Sequence, residues 1–119
     1  MSKKGGLYFY VGEINERKYW EQKEGNQAIW YSPDSNRKDW FIGNIDQLGT
    51  RDGDVSSWND LSTQCPNNEK NNIWKYKYEN NEWIETVKGA IQFKCINEGT
   101  TYRFGKKSSY MKLIFNIFK

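Results

Sequence analysis

The sequence predicts an all-β fold, arranged as a small antiparallel sheet, a sandwich or a partly open barrel of about six to nine short strands. Aromatic residues make up 17% of the 119 residues although hydrophobic residues reach only 36%, so large rings must supply most of the core. Ten glycines and many asparagines provide sites for turns. No window of about 11–18 residues carries apolar side chains at helical spacing, so no long helix is expected.

The central strand of this fold is expected at residues 38–44. Trp40 and Ile42 point to one side of an extended segment and Phe41 points to the other. Period-two alternation bounded by turn residues predicts the other strands. They are expected at residues 7–11, from 19 onwards, and at 27–32, 73–78, 83–87 and 90–95, with less regular candidates at 100–104 and 111–118.

Alternation also predicts which side chains of the first strand face the core. Leu7, Phe9 and Val11 are expected to point inwards, and the tyrosines between them are expected to point outwards. Ile91 and Phe93 share a face in the same way, so they are expected in the same core as Trp40 and Ile42.

Residues 73–78 and 83–87 predict a hairpin closed by Asn80-Asn81, which suits a type I′ turn. That turn pairs Tyr78 with Trp83. The predicted inner face carries Trp74, Tyr76, Tyr78, Trp83 and Val87, and the opposite face carries Lys75, Lys77, Ile84 and Thr86.

The length fits one domain. Its expected parts are a disordered N-terminal segment (1–6), a β-rich core (7–95) and a C-terminal extension (96–119), strand-like and apolar at its end, that completes the sheet or docks on a partner. No signal-peptide core or membrane-spanning segment is apparent. The compartment stays open: cytoplasmic as written, extracellular if this is an excised module.

Composition excludes several kinds of chemistry. Histidine is absent, which removes Ser/His and Cys/His nucleophiles, imidazole zinc ligands and histidine acid–base catalysis. The net charge of +3 comes from 18 basic and 15 acidic residues that are mixed along the chain, so nucleic-acid binding is not favoured. No cofactor is expected.

Carboxylates offer two further hypotheses, and neither is adopted. Asp46, Asp52 and Asp54 suggest calcium, but their spacing lacks the alternating ligands and final Glu of a helix–loop–helix site. A glycoside-cleaving pair would have to come from Asp34, Asp39, Glu82 and Glu85, whose order favours no particular pair. The sequence therefore predicts no catalytic residue, no metal ligand and no enzyme.

The two cysteines, Cys65 and Cys95, lie 30 positions apart. A disulfide between them would stabilise the fold by about 3–4 kcal/mol on the chain-entropy model. Two buried thiols are equally compatible with the sequence. Cys95 shares a face with Ile91 and Phe93, so a packed or bridged sulfur is favoured over a reactive one.

Several short motifs carry a resemblance to known modules. They are Val11-Gly12-Glu13, residues 15–19, residues 28–31, residues 40–43, Leu48-Gly49, Cys65-Pro66, residues 74–76 and Trp83. Together they resemble a small aromatic-rich β module of multidomain and extracellular proteins in protists and invertebrates, with Asn-Gly-x-Tyr near its start and Trp-x-Ile or Trp-x-Leu at its centre. Residues 16–18 depart from this pattern. The resemblance covers about residues 7–95, implies a non-catalytic interaction module and carries over no catalytic residue.

The sequence therefore favours a non-enzymatic interaction or assembly module that acts on a protein partner or on itself. The contact would use an edge strand, the 44–64 loop or the apolar tail. The candidate binding residues are Trp58, Trp20, Leu113, Phe115 and Phe118. Carbohydrate binding by exposed rings is the alternative, with Trp20, Trp30, Trp58, Tyr76 and Trp83 as candidates, and single-stranded nucleic-acid binding ranks third.

Overall fold

The computed structural model describes residues 4–57, 66, 74–77, 82–86, 90–103 and 106–115. Within these ranges the chain forms nine strands, all paired antiparallel, and a 3-10 turn at Ile45–Gln47. The all-β prediction is confirmed. In chain order the strands are β1 (Gly6–Ile14), β2 (Arg17–Gln22), β3 (Gln27–Pro33), β4 (Lys38–Asn44), β5 (Val55–Ser56), β6 (Lys75–Lys77), β7 (Trp83–Glu85), β8 (Ile91–Arg103) and β9 (Lys106–Phe115).

The strands form one sheet that curls into a half-barrel. Their order is β7-β6-β5-β4-β3-β2-β1-β9-β8, so β1 to β7 lie side by side in sequence order. β9 is inserted between β1 and β8, because Leu113 pairs with Gly6 on one side and with Phe93 on the other. The segment from residue 96 onwards, expected as an extension, thus supplies much of β8 and all of β9.

The concave face of the sheet, here called the inner face, holds the main core. Trp40 and Ile42 lie in it together with Ile91 and Phe93, as predicted. Trp74, just before β6, packs its ring against Phe93 of β8 with the centroids 4.8 Å apart. The two ends of the curled sheet therefore meet through side chains. The buried members of this core are Tyr8, Trp20, Ile29, Tyr31, Trp40, Ile42, Val55, Trp74, Ile91, Phe93 and Leu113.

A second, smaller cluster lies on the convex face, here called the outer face. Trp30 and Phe41 stack there with their ring centroids 6.1 Å apart. The segment 45–54 folds over these rings, since Leu48 packs against them and the Trp30 Nε1–H donates to the Thr50 carbonyl oxygen at 2.8 Å. Phe41, which the sequence placed on the face opposite Trp40 and Ile42, thus belongs to a small core of its own.

Two glycines allow this segment to lie so close to the sheet. A Cβ atom on Gly43 would stand 2.9 Å from the Gly53 Cα, and a Cβ atom on Gly53 would stand 2.9 Å from the Phe41 Cβ. Such distances leave no room for a side chain at either position. The described half of the 44–64 loop therefore serves packing.

The predicted facing of β1 is wrong. Tyr8 is fully buried in the inner core, whereas Leu7, Phe9 and Val11 are exposed. The Tyr8 hydroxyl donates a hydrogen bond to the Lys4 carbonyl oxygen, so its polar end is satisfied inside the protein. Because side chains alternate along a strand, the inward ring of Tyr8 turns its aliphatic and Phe neighbours outwards.

The hairpin of β6 and β7 is present, but its register differs by one residue from the prediction. Tyr76 pairs with Ile84, and Lys77 pairs with Trp83. A slip of one residue moves a side chain to the other face. Tyr76 accordingly packs on the inner core and Trp83 on the outer cluster, where the Lys77 ammonium lies 5.1 Å from the Trp83 ring centroid. Tyr78, Val87 and the turn at 80–81 lie outside the described residues.

β1 and β2 are joined by the two residues Asn15 and Glu16. Both have positive φ, 54° and 68°, and Ile14 pairs with Arg17 across the turn. These are the features of a type I′ turn, whose right-handed twist matches that of the strands it connects. Asn adopts this conformation readily, but Glu rarely does.

Candidate functional site

Large apolar side chains are exposed together on the outer face where β1 meets β9. Leu7, Phe9 and Ile114 are 38–40% exposed. Leu7 pairs with Lys112, and Ile114 lies two positions further along β9, so the three side chains leave the same face of the sheet. They are called the outer patch below. Val11 is exposed at the bulge that follows Tyr10 and lies next along β1.

A row of lysines crosses the sheet at the outer patch. Lys112 pairs with Leu7 on one side and with Lys94 on the other. Lys23, directly after β2, donates its backbone N–H to the Leu7 carbonyl oxygen at 3.0 Å, and its ammonium lies 5.6 Å from the Phe9 ring centroid. Lys23, Lys94 and Lys112 are called the basic row below. None of these ammonium groups has a carboxylate partner in the described part of the chain.

Alternation explains why the basic row points outwards. Phe93 and Leu113 are buried in the inner core, so their neighbours Lys94 and Lys112 must leave the opposite face. Two acids lie close by, since Glu21 pairs with Phe9 one row away and Glu24 follows Lys23 directly in the chain. The three lysines of the basic row still leave a net positive charge beside the exposed apolar side chains.

A shallow depression of about 320 Å³ lies beside the basic row. The backbone of Gly5 and Gly6 forms part of its lining, together with Leu7, Gln22, Lys23 and the acidic Glu24. Gly6 has a φ of 112°, and a Cβ atom added there would meet nothing within 4 Å. The missing side chains of two consecutive glycines thus leave space next to Leu7 and Lys23.

The Asp39 carboxylate, by contrast, is neutralised inside the fold. It is 1% exposed and accepts hydrogen bonds from Arg37 Nε at 2.8 Å and from Arg51 Nη2 at 2.7 Å. Burial alone would raise the pKa of Asp39, but the two guanidinium groups outweigh it and hold the pKa below its usual value. Arg51 also reaches Asp34 at 3.2 Å, so Asp39 ties segment 45–54 to the β3–β4 hairpin.

A buried lysine closes one end of the inner face. Lys4, expected within a disordered segment, places its ammonium 2.6 Å from Gln27 Oε1 and 3.0 Å from Asp54 Oδ1. Tyr8 bonds to the Lys4 backbone, and burial together with the Asp54 charge raises the pKa of its hydroxyl. Lys4 thus anchors the start of β1 in the core.

The structure does not bring the sequence-predicted binding residues together at one surface. Trp20 is 3% exposed and Leu113 is 2% exposed, and both belong to the inner core. Phe115 ends β9, but its side chain is not among those described. Trp58 and Phe118 lie outside the described residues.

Cys95 packs against the inner core, in keeping with its predicted facing. Cys65 lies outside the described residues, so the Cys65–Cys95 disulfide stays a prediction.

The acidic residues weighed for metal binding or hydrolysis have separate surroundings. Asp54 faces Lys4, Asp46 lies in the 3-10 turn, and Glu82 and Glu85 are exposed. Within the described ranges, no group of three or more His, Cys, Asp or Glu side chains could hold a metal ion.

The outer patch was not predicted from the sequence, because Leu7 and Phe9 were expected to face the core. One signal was legible: Lys94 and Lys112 each stand between apolar residues, which predicts that both point outwards. Their meeting with Leu7 depends on the pairing of β1 with β9, and no local pattern encodes a contact between segments so far apart in sequence.

Comparisons with protein-family models, with curated proteins and with solved structures found no match. The described part of the chain contains no helix long and apolar enough to cross a membrane.

Proposed function

We propose that this protein is a non-enzymatic interaction module that binds another protein chain through the outer patch. The observation that carries the proposal is the exposure of Leu7, Phe9 and Ile114 together on one face. Contiguous exposed apolar side chains with a polar border are typical of interaction sites.

Carbohydrate binding by aromatic rings has less support. A sugar needs an accessible ring face, but Trp20 and Trp30 are buried. Trp83 is half-buried and lies against the Lys77 ammonium. These tryptophans act mainly as core, as expected of a small domain that is short of other large apolar residues.

The proposal is tested with the double variant Leu7→Gln/Phe9→Gln and with Ile84→Gln as the matched control. Ile84 is 36% exposed and lies at the other end of the sheet, on β7. Each tagged protein is used to capture partners from extracts of cells that express it, and each captured protein is then purified and titrated by calorimetry. We expect a captured protein to bind the parent chain and the control equally and the double variant at least tenfold more weakly.

Light scattering after size exclusion provides the second arm of the test. A parent dimer that becomes a monomer in the double variant identifies self-association as the use of the outer patch. The proposal is overturned if the double variant binds or dimerises as well as the parent chain. It is also overturned if the parent chain stays monomeric and no captured protein binds it after purification.

A further inference from the structure

We infer that the partner segment is acidic and partly apolar, with carboxylates that pair with the basic row and apolar side chains that cover the outer patch. This inference rests on the proposed function and deepens it by naming the chemistry of the partner. Three observations support it: a pair of like charges on neighbouring strands, the geometry of the row, and the adjoining depression.

The first observation is the direct pairing of Lys94 with Lys112. Like charges opposite each other on neighbouring strands destabilise a sheet. Within the described residues, the ion pairs belong to Lys4, Arg37 and Arg51, and none of them involves a lysine of the basic row. An anionic partner would relieve the repulsion that the free protein carries at this site.

The second observation is the direction of the row. Lys23, Lys112 and Lys94 lie on β2, β9 and β8, with β1 between the first two, and neighbouring strands are about 4.8 Å apart. The row is therefore about 14 Å long and runs across the strands. In an extended segment, alternate side chains are about 7 Å apart, so a stretch of about five residues with acids at alternate positions can reach all three ammonium groups.

The third observation is the space beside the row. The depression at Gly5 and Gly6 is also lined by Leu7, Gln22, Lys23 and Glu24, and it has room for one side chain of the partner segment beside Leu7. A purely anionic polymer would leave the outer patch uncovered. A second copy of this chain would bring an equal set of lysines against the first set, so charge disfavours self-association at this face.

A membrane surface is a poorer fit than a protein segment. More than half of each outer-patch side chain is already covered by its neighbours on the sheet. Insertion into lipid depends on the apolar area that can enter the acyl region, and a sheet face with half-covered side chains offers little of it.

The test uses a fluorescent synthetic peptide in which Glu alternates with Leu and a matched peptide in which Gln replaces every Glu. Binding to the full chain is measured by fluorescence anisotropy, and the site is mapped by amide chemical shifts of the labelled protein. We expect the Glu peptide to bind at least tenfold more tightly than the Gln peptide, with an affinity that falls as salt is added. The largest shifts should lie at Leu7, Lys94 and Lys112.

Lys112→Glu separates a binding role from a structural one. It replaces the like-charge pair with an opposite-charge pair, so the variant should unfold at a higher denaturant concentration than the parent and yet bind the Glu peptide at least tenfold more weakly. The control Lys77→Glu makes the same charge change on β6, away from the row, and should leave peptide binding unchanged.

Several outcomes overturn the inference. If the Gln peptide binds as well as the Glu peptide and both depend on Leu7 and Phe9, the proposed function survives without an acidic partner. A further outcome is that heparin, or vesicles in which about one lipid in three is phosphatidylserine, bind through the basic row while the Glu peptide does not. In that case a different anion is the ligand. If neither peptide shifts the outer-face amides, the inference fails, and capture with the Leu7→Gln/Phe9→Gln variant decides the proposed function separately.

Discussion

Asp39 joins three parts of the chain through one buried carboxylate. Arg37 reaches it from the turn before β4, Arg51 from the segment over the outer face, and the Ser57 hydroxyl lies 3.4 Å from Asp39 Oδ1 while accepting the Trp40 N–H. A buried charge is tolerated only when it is paired and hydrogen-bonded, and Asp39 meets that condition with both of its oxygens.

Asp39→Asn should destabilise the protein by about 2–3 kcal/mol at pH 7. Removing one member of a buried ion pair typically costs about 3–5 kcal/mol, and the partial exposure of Arg37 and Arg51 reduces that loss. Urea unfolding measures the change. Asp34→Asn is the control, because this exposed side chain keeps an oxygen for its two backbone hydrogen bonds and should have a smaller effect.

The same variant tests the pH dependence. The pKa of Asp39 is lower in the folded protein than its unfolded value of about 3.9, so the folded state binds fewer protons in that range. The stabilisation from Asp39 is therefore present above about pH 4 and is lost as the pH falls through the lowered folded pKa. Asp39→Asn should flatten the stability profile between about pH 5 and pH 2, and an unchanged slope would contradict this assignment.

The turn between β1 and β2 shows strain that one substitution can relieve. Glu16 has a φ of 68°, a conformation that costs a residue with a side chain about 1 kcal/mol or more but costs Gly nothing. Glu16→Gly produces the Asn-Gly sequence preferred in type I′ turns and should raise the free energy of unfolding by about 0.5–1 kcal/mol. Thermal and urea unfolding measure the gain.

Glu13→Gly is the matched control for this turn variant. Glu13 lies within β1, where Gly weakens a strand, so the same change should lower stability there. Equal effects of the two variants would show that the turn conformation does not matter.

At the scale of elements, the sequence predicted where strands lie better than which way they face. The period of two at residues 7–11 located β1, but both sets of alternating side chains are large and partly apolar. Tyr8 takes the inward position, where the Lys4 carbonyl oxygen accepts a hydrogen bond from its hydroxyl. The predicted register of β6 and β7 was wrong for a related reason, because a one-residue change at the turn moves Trp83 to the opposite face.

Across the whole molecule, the half-barrel depends on a side-chain contact between its two ends. Trp74→Ala removes the ring that packs on Phe93 and should destabilise the protein by about 3–5 kcal/mol. Trp83→Ala removes a ring of the same size from a half-buried position and should cost about 1 kcal/mol. Denaturant unfolding compares them, and a similar loss for both variants would argue against closure through Trp74.

The predicted disulfide also acts on the whole molecule. A bond between Cys65 and Cys95 would close a long loop and stabilise the folded chain by about 3–4 kcal/mol. Intact mass with and without reductant should differ by two hydrogens, and the reduced protein should unfold at a lower urea concentration. An unchanged mass would assign both cysteines as thiols.

The sheet order was beyond sequence reasoning, although most strands were located. Alternation and turn residues are local signals, so they identified β3, β4 and the β6–β7 hairpin from their own residues. The insertion of β9 between β1 and β8 depends on contacts between distant segments. For the same reason, the candidate site, which these strands build jointly, could not be assembled from the sequence.

That long-range pairing also sets the order of events during synthesis. Gly6 pairs with Leu113, more than a hundred residues later, so β1 can join β2 early but must keep its other edge open until β9 has left the ribosome. Contacts of such long range slow folding, and an open edge can pair with another nascent chain. Growing chains should therefore depend on chaperone protection until β9 emerges.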